Sequence, residues 1–245
     1  MSLSRIFIDS DLEVNESIQL PVSAAHYVKN VLRLKNNQQI ILFNNNHSAE
    51  YHANIEIQGK HIFARLISKT ISRLDSPLKT TLLQALGKPD HIDFIIQKAT
   101  ELGISQIYLF NSQRTQTHLK STRLEKKLEH WKGIMISACE QCGRNTIPTL
   151  SFKSSFQTCL EACENSNKIL LDFDGKPISK LSEEFVPDLS FSMLTGPEGG
   201  LTTDEIQQAK NANFKSCTLG PRILRMETAA ISILNIVQHY YGDMR

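Results

Sequence analysis

Hydrophobic and polar positions alternate in two different ways along this chain of 245 residues. In the first part, short apolar runs are separated by polar turn residues, which is typical of β-strands. Strands are predicted over 5–8, 39–43, 50–57 and 61–68, with hairpin turns at 44–46 and 58–60. A helix is predicted over 23–34, where Val28, Val31 and Leu32 lie on one side. This part is therefore expected to form a small β domain, a barrel with one helix.

Beyond residue 72 the pattern becomes an alternation of strands and helices. The predicted strands are 78–85, 104–110, 169–173, 193–194 and 214–219, and the longer helices are 92–102, 119–141 and 226–241. Such alternation favours a largely parallel sheet covered by helices, the α/β class. The last helix is apolar almost all round, which indicates burial at a subunit interface or in the centre of a monomeric core. A polar stretch at 72–77 is the predicted linker, giving domains 1–72 and 73–245.

Composition narrows the class of protein. No apolar run approaches the roughly 18 residues of a membrane span, and acids stand where a signal peptide has its apolar stretch, so a cytoplasmic protein without a membrane partner is expected. Five cysteines argue against a disulfide framework.

The net charge of +2 does not by itself indicate a nucleic-acid partner. Residues 111–145, however, hold seven Lys and Arg against three Glu, which is either a basic patch or a solvated helix face.

Two segments near the C-terminus repeat one arrangement of strand, tight glycine loop and helix. The first, 194–206, contains Gly196-Pro-Glu-Gly-Gly200, followed by Thr202 and Glu205 at the spacing of a capping box. The second, 218–230, contains Gly220-Pro221 before a helix that begins near Arg225. Loops of this kind allow a small polar ligand to approach backbone N–H groups closely, although the first loop could also be a purely structural turn.

Other chemistry finds less support in the sequence. Cys139 and Cys142, with Cys159 and Cys163, could supply four zinc ligands, but both pairs lie in helical pattern, so buried small residues and no metal are expected. Neither a Walker loop nor a G-x-G-x-x-G motif after a strand is present. Hydrolysis of ATP and ordinary dinucleotide binding are therefore disfavoured.

The two glycine segments and three further motifs resemble one family over essentially the whole chain. The glycine segments contribute Gly196-Pro-Glu-Gly-Gly200 and 219–229. The further motifs are His26-Tyr-Val-Lys-Asn-Val-Leu-Arg33, Lys98-Ala-Thr-Glu-Leu-Gly103 and Trp131 through Arg144. They are similar to the bacterial 16S ribosomal RNA uridine-N3 methyltransferases, the ribosomal small-subunit methyltransferase E family of the SPOUT superfamily. One departure is Gln113-Arg114-Thr-Gln, where the family has an acid before the arginine and a serine after it.

The resemblance implies an N-terminal PUA-like β-barrel for RNA binding and a C-terminal SPOUT domain with a deep trefoil knot. It also implies a homodimer with the active site at the interface, and S-adenosylmethionine as the cofactor. By position, the cofactor residues are expected in both glycine segments and in one neighbouring strand: Leu171, Leu194, Thr195, Gly196, Gly199, Leu219, Gly220, Ile223, Leu224 and Arg225.

Uridine N3 bears a proton that must leave before N3 can accept a methyl group. Arg225 is the favoured catalytic residue, because a guanidinium can hold the pyrimidine oxygens and their negative charge. Glu198 could accept the proton if desolvation raised its pKa, or it could be a structural residue bonded to loop amides.

The implied substrate is 16S ribosomal RNA within the small ribosomal subunit. The expected RNA-binding residues are basic side chains of both domains: Arg5, His26, Lys29, Arg33, Lys88, Arg114 and Arg144. Two other hypotheses stay open at this point. One is an RNA-binding protein that has lost catalysis, and the other is an unrelated α/β enzyme with a nucleotide cofactor.

Overall fold

The computed structural model describes residues 3–45, 49–72, 74–116, 119 and 121–244. Its backbone divides into two compact units, Met1–Asp75 with Ile136–Ile147, and Ser76–Met135 with Pro148–Arg245. Asn46 of the first predicted hairpin turn and Lys120 of the basic segment lie outside the described residues. Within the described part of the chain, no helix is long and apolar enough to cross a membrane.

The first unit is built on a five-stranded sheet. Its described strands are β1 (Ser4–Phe7), β2 (Ser17–Gln19), β3 (Gln39–Phe43), β4 (Ala49–Gln58) and β5 (His61–Ile71). They lie in the order β1-β3-β4-β5-β2, with β1 parallel to β3 and the other pairs antiparallel. The four predicted strands are confirmed. The short β2 was not predicted, because its single half-buried apolar residue, Ile18, gives no periodic pattern.

Alternation of side chains places one face of this sheet in a core. Along β4 the buried residues are Ala49, Tyr51, Ala53 and Ile55, every second position, as expected for a strand with one covered face. They pack in one cluster with apolar residues of the other strands, among them Ile6, Ile40, Leu42, Ile62 and Leu66. The unit therefore has its own hydrophobic core.

The predicted helix of the first unit is present but changes its winding. It begins as α1 (Val22–His26) and continues as a π-helical turn over Tyr27–Val31. Val28 is fully buried in the core, whereas Val31 is 59% exposed. The wider π turn rotates later residues away from the side that a regular helix would bury. His26, Lys29 and Arg33 are all exposed.

The second unit contains a six-stranded sheet in which every pairing is parallel. Its strands are β6 (Lys79–Ala85), β7 (Gln106–Phe110), β8 (Thr149–Lys153), β9 (Asn167–Pro177), β10 (Ser190–Thr195) and β11 (Lys215–Thr218), in the order β11-β9-β10-β6-β7-β8. The α-helices after the first are α2 (Pro89–Glu101), α3 (Ser121–Cys142), α4 (Phe156–Glu161), α5 (Ile178–Leu181), α6 (Thr203–Asn211) and α7 (Met226–Tyr241). From Ile136 onward, α3 belongs to the first unit. The predicted parallel α/β architecture is confirmed.

The two middle strands fix where this unit can bind a ligand. In β10 every residue is buried, and in β6 every residue after Lys79, as expected for strands covered on both faces. Strands β10, β6 and β7 are parallel neighbours, so their carboxyl ends meet at one edge of the sheet. Ligands of open α/β sheets bind at this edge. The loops after these three strands, together with the segment that leads from β11 into α7, form the candidate site.

Burial makes four of the five cysteines unreactive. Cys139, Cys159, Cys163 and Cys217 are buried, and all five are free thiols. Desolvation raises the pKa of Cys139 and of Cys217 to about 12, so neither thiol ionises at neutral pH. Among the described residues, no group of three or more His, Cys, Asp or Glu is arranged to hold a metal ion.

Candidate active site

The loop after β10 turns tightly into α6. A Cβ on Gly196 would lie 3.0 Å from the backbone nitrogen of Leu201, so the chain folds back on itself at this glycine. The N–H of Gly200 donates to the carbonyl of Pro197 at 2.9 Å. The predicted capping box is confirmed: the Thr202 side chain accepts from the Glu205 N–H, and Glu205 accepts from the Thr202 N–H.

Glu205 also joins this loop to the loop after β7. Its carboxylate, which is 2% exposed, accepts from the Gln113 N–H at 2.9 Å and from the Ser112 hydroxyl at 3.2 Å. The Thr115 hydroxyl in turn donates to the carbonyl of Leu86, which follows β6. One buried carboxylate therefore holds two of the three loops together.

Arg114 binds the backbone of the glycine loop. Its Nη1 donates to the carbonyls of Gly199 at 3.1 Å and Leu201 at 3.4 Å. A guanidinium in this position fixes two carbonyls that would otherwise face solvent. Arg114, which was predicted to bind RNA, thus contacts the backbone of the candidate site.

A buried glutamine anchors the start of the loop. Gln84, on β6, is fully buried, and its side chain accepts a short hydrogen bond from the Thr195 hydroxyl. Its amide also donates to the carbonyls of Ala85 at 2.8 Å and Gly196 at 3.4 Å. Only one weak signal in the sequence marks this residue, a polar side chain inside an apolar strand.

The second glycine segment leads from β11 into α7. Gly220 has φ +125°, a backbone conformation that favours glycine, and its carbonyl accepts from the Thr218 hydroxyl at 3.1 Å. Arg225 is the N-cap residue of α7, in extended conformation, and its side chain is exposed. Ile223 is 88% exposed, although it is apolar.

Both glycine segments line one cleft of about 720 Å³. This volume lies within the roughly 300–1,000 Å³ of small-molecule sites. One wall is the loop from Thr195 to Leu201, and the other runs from Ile223 to Ala229, with Leu171 of β9 between them. Lys88 and His91, which begin α2, complete the lining. The cleft therefore combines an apolar wall with backbone groups and ionic side chains.

Glu198 is held as a carboxylate at the rim of this cleft. Its Oε1 accepts from the Lys88 N–H at 2.9 Å and lies 3.1 Å from His91 Nδ1, which is also 3.6 Å from Glu227 Oε2. Burial would raise the pKa of Glu198, but hydrogen bonds from the Lys88 amide, its own amide and His91 outweigh burial and lower the pKa. The raised pKa that a general base would need is not found. His91 and Glu227 were not predicted as site residues, although Glu227 lies within the second glycine segment.

The structure brings most of the predicted cofactor residues together. Seven of them line the main cleft: Leu171, Thr195, Gly196, Gly199, Ile223, Leu224 and Arg225. Leu219 lines a smaller adjoining cavity with Leu171, Ile223 and Leu224. Leu194 is fully buried among Leu83, Phe110 and other core residues, and Gly220 is absent from the lining of both cavities.

The predicted RNA-binding residues fall into two groups. His26, Lys29, Arg33, Lys88 and Arg114 are exposed. Arg5 and Arg144 are instead occupied inside the first unit. Arg5 pairs with Glu50 at 2.6 Å and bonds to Asn145 and to the Arg144 carbonyl, and Arg144 is 5% exposed and pairs with Asp75 at 2.9 Å. Each guanidinium thus has the carboxylate partner that a buried charge requires.

Comparison with known proteins agrees with this geometry. Residues 74–238 match the family model of an RNA methyltransferase domain, and residues 20–67 match that of an RNA methyltransferase PUA domain. A parallel α/β sheet with a glycine-loop cleft, together with a PUA domain, defines the class: an RNA methyltransferase. The chain belongs to the ribosomal RNA small subunit methyltransferase E family.

Three similar proteins illustrate the match. The family member of Buchnera aphidicola from Schizaphis graminum is 35% identical over 99% of this chain and 98% of its own. A methyltransferase structure from Legionella pneumophila with bound S-adenosylmethionine has 32% identity and a TM-score of 0.93, covering 99% of this chain and 100% of that one. The Neisseria gonorrhoeae family member, bound to S-adenosylmethionine, has 31% identity and a TM-score of 0.90 over the full length of both chains.

Proposed function

We propose that this protein transfers the methyl group of S-adenosylmethionine to N3 of a uridine in 16S ribosomal RNA of the small subunit. The observation that carries the proposal is the cleft between the two glycine segments. The fold that forms it recurs, at 31% and 32% identity, in structures solved with this cofactor. The N3 position follows from the resemblance of the signature segments to the uridine-N3 methyltransferases.

The residues of the cleft fit the cofactor. Thr195, Gly196 and Gly199 offer backbone groups along one wall, where a larger residue at Gly196 would collide with Leu201. Leu171, Ile223 and Leu224 offer an apolar wall for the adenine. The strong exposure of Ile223 is understandable if a ligand covers it. When bound, S-adenosylmethionine supplies an activated methyl group on its sulfonium.

Arg225 is the proposed catalytic residue. Its exposed guanidinium lines the cleft, and none of the described residues forms an ion pair or side-chain hydrogen bond with it. A guanidinium there can hold the uridine oxygens and stabilise the anion that forms when N3 loses its proton. Glu198 orders the cleft as an ionised carboxylate, which its lowered pKa supports. In this proposal, solvent or the RNA itself accepts the proton of N3.

The resemblance also supplies the topology and assembly that we propose. The second domain, 73–245, is a SPOUT domain with a trefoil knot, and the first, 1–72, is a PUA-like barrel. The protein acts as a homodimer in the cytoplasm, where its substrate is made. Support for the dimer comes from α7, where apolar Ile231 and Ile236 are only half-buried and Tyr240 is 59% exposed.

RNA is proposed to contact the exposed cations of each unit. His26 and Lys29 lie on the helical segment of the first unit, Arg33 follows just after its end, and Lys88 lines the cleft of the second unit. Phosphate contacts of this kind give affinity, and a splayed uridine gives access to N3. Arg5 and Arg144 remain structural in this proposal.

Calorimetric titration with S-adenosylmethionine tests the cofactor, and methyl transfer from labelled cofactor to isolated small ribosomal subunits tests the reaction. Saturable binding and one methylated uridine in 16S ribosomal RNA are expected. Absence of heat at millimolar ligand would rule out the methyltransferase. Binding without transfer to ribosomal RNA would leave a cofactor-binding protein with another substrate.

A further inference from the structure

A second cavity of about 660 Å³ lies in the same unit as the cleft and takes no part in the function described so far. Its apolar lining is formed by Leu86, Ile92, Leu119 and Trp131. Arg123 and Lys127, from α3, lie at the same cavity. We call it the Trp131 pocket.

Trp131 is held in one orientation. Its indole N–H donates to Asp93 Oδ1 at 3.0 Å, and the other oxygen of Asp93 lies 2.7 Å from His130 Nε2. The indole is 3% exposed. Since its only donor is already bonded and it is almost fully buried, Trp131 adds apolar surface to the pocket but offers no open face for stacking. A nucleobase in the pocket would lie on apolar side chains beside the Arg123 guanidinium, which can stack on a flat ring.

The charge of the pocket favours an anion beside that ring. Its described lining contains two cations, Arg123 and Lys127, and no carboxylate. The Lys127 ammonium lies 5.7 Å from the centre of the Trp131 ring. An apolar wall next to two cations matches the base and the phosphate of one nucleotide.

The pocket and the cleft share a short stretch of chain. Leu86, Gly87 and Pro89 line the pocket, whereas Lys88 lines the cleft. A Cβ on Gly87 would lie 2.7 Å from a carboxylate oxygen of Glu198, at the rim of the cleft. A strand of RNA with one nucleotide in the cleft could therefore place a neighbouring nucleotide in the pocket.

We propose that the Trp131 pocket binds a single-stranded nucleotide that flanks the target uridine. This inference rests on the proposed function. The pocket contributes affinity and sequence context for the RNA, while Arg225 and the glycine segments act on the uridine and the cofactor.

Trp131 itself reports on the pocket, because it is the only tryptophan in the chain. The probe is a single-stranded oligouridylate of about eight nucleotides, within the roughly 4–16 nucleotides that such sites cover. Saturable quenching of Trp131 fluorescence is expected. Replacing both cations, Arg123→Ala with Lys127→Ala, should weaken binding about tenfold or more. The matched control is Lys126→Ala, an exposed lysine of the same helix outside the pocket lining.

A second variant fills the pocket without removing charge. Thr122 is an exposed residue of the lining, and Thr122→Phe should remove the quenching and the methylation of small ribosomal subunits while leaving S-adenosylmethionine affinity unchanged. Its thermal unfolding, compared with that of the unchanged protein, shows whether the variant folds. Loss of both quenching and methylation in a folded variant that binds the cofactor supports the pocket.

Three results would overturn it. The first is wild-type methylation by Thr122→Phe, which leaves the proposed function intact. The second is equal weakening of RNA binding by Lys126→Ala and by Arg123→Ala with Lys127→Ala, which indicates general electrostatics. The third is a change in the number of subunits per particle when Thr122→Phe is compared with the unchanged protein by light scattering, which indicates that a second copy covers the pocket. A failure of the unchanged protein to bind S-adenosylmethionine would instead refute the proposed function, and the quenching would still test the pocket.

Discussion

Removal of the Glu205 carboxylate should loosen the candidate site more than any other single change near α6. Glu205→Ala leaves four donors without their acceptor: the N–H groups of Gln113 and Thr202 and the hydroxyls of Ser112 and Thr202. An unsatisfied buried donor costs about 1–3 kcal/mol. Water can reach the exposed Gln113 and the half-buried Thr202 but not Ser112, which is 1% exposed, so the sum is on the order of 3–6 kcal/mol and less than the full cost of four buried donors. That is a large part of the roughly 5–15 kcal/mol that stabilises a domain.

Two further substitutions separate the loss of hydrogen-bond acceptors from the loss of negative charge at the start of α6. Glu205→Gln keeps one acceptor oxygen but turns an NH₂ group toward donors, so a smaller loss of about 1–3 kcal/mol is expected. Asp204→Asn is the control, because Asp204 is exposed in the same first turn of α6. It loses only its interaction with the helix dipole, about 0.3–1 kcal/mol.

Urea unfolding followed by Trp131 fluorescence measures these differences. The single tryptophan lies in the second unit, so its signal reports on the unit that contains Glu205. Affinity for S-adenosylmethionine should fall in the same order, since Glu205 holds the loop that lines the cleft. A midpoint for Glu205→Ala no lower than that of Asp204→Asn would refute the reasoning.

Three other changes test separate parts of the account. Arg225→Ala should keep most cofactor affinity on calorimetry but lose methyl transfer, and near-normal turnover would remove Arg225 from the mechanism. Glu198→Gln should lower the free energy of unfolding at pH 7, because the lowered pKa of Glu198 makes its ionised form stabilising; this difference should shrink as the pH falls below the ordinary value of 4.5, and a difference that persists there would contradict it. Lys29→Glu with Arg33→Glu should weaken RNA binding and reduce its dependence on salt, whereas an unchanged slope would exclude that face.

The sequence predicted local features of the site better than its long-range contacts. The Thr202–Glu205 capping box follows from a spacing of three residues and is confirmed. The bonds from Glu205 to Ser112 and Gln113 join residues more than 90 positions apart, and no local pattern marks them. Gln84, which anchors Thr195, shows the same limit.

Residue type was a weaker guide than burial for the basic residues. Arg5 and Arg144 were predicted to bind RNA because they are cationic, yet each has a carboxylate partner inside the first unit. A sequence does not show which acid lies across a fold from an arginine. Leu194 was predicted to line the cofactor site, and in the structure its side chain packs in the core, since every residue of β10 is buried. The helix at 23–34 was predicted as regular, since apolar spacing does not distinguish an α-turn from a π-turn.

Mass mapping of methylated nucleotides in 16S ribosomal RNA shows directly whether this protein methylates a uridine. The RNA is taken from cells that lack this protein and from the same cells after its expression, with the Arg225→Ala variant as a control. One N3-methyluridine should appear with the unchanged protein and be absent with the variant and without the protein. Identical maps in all three samples would rule out the proposed methylation.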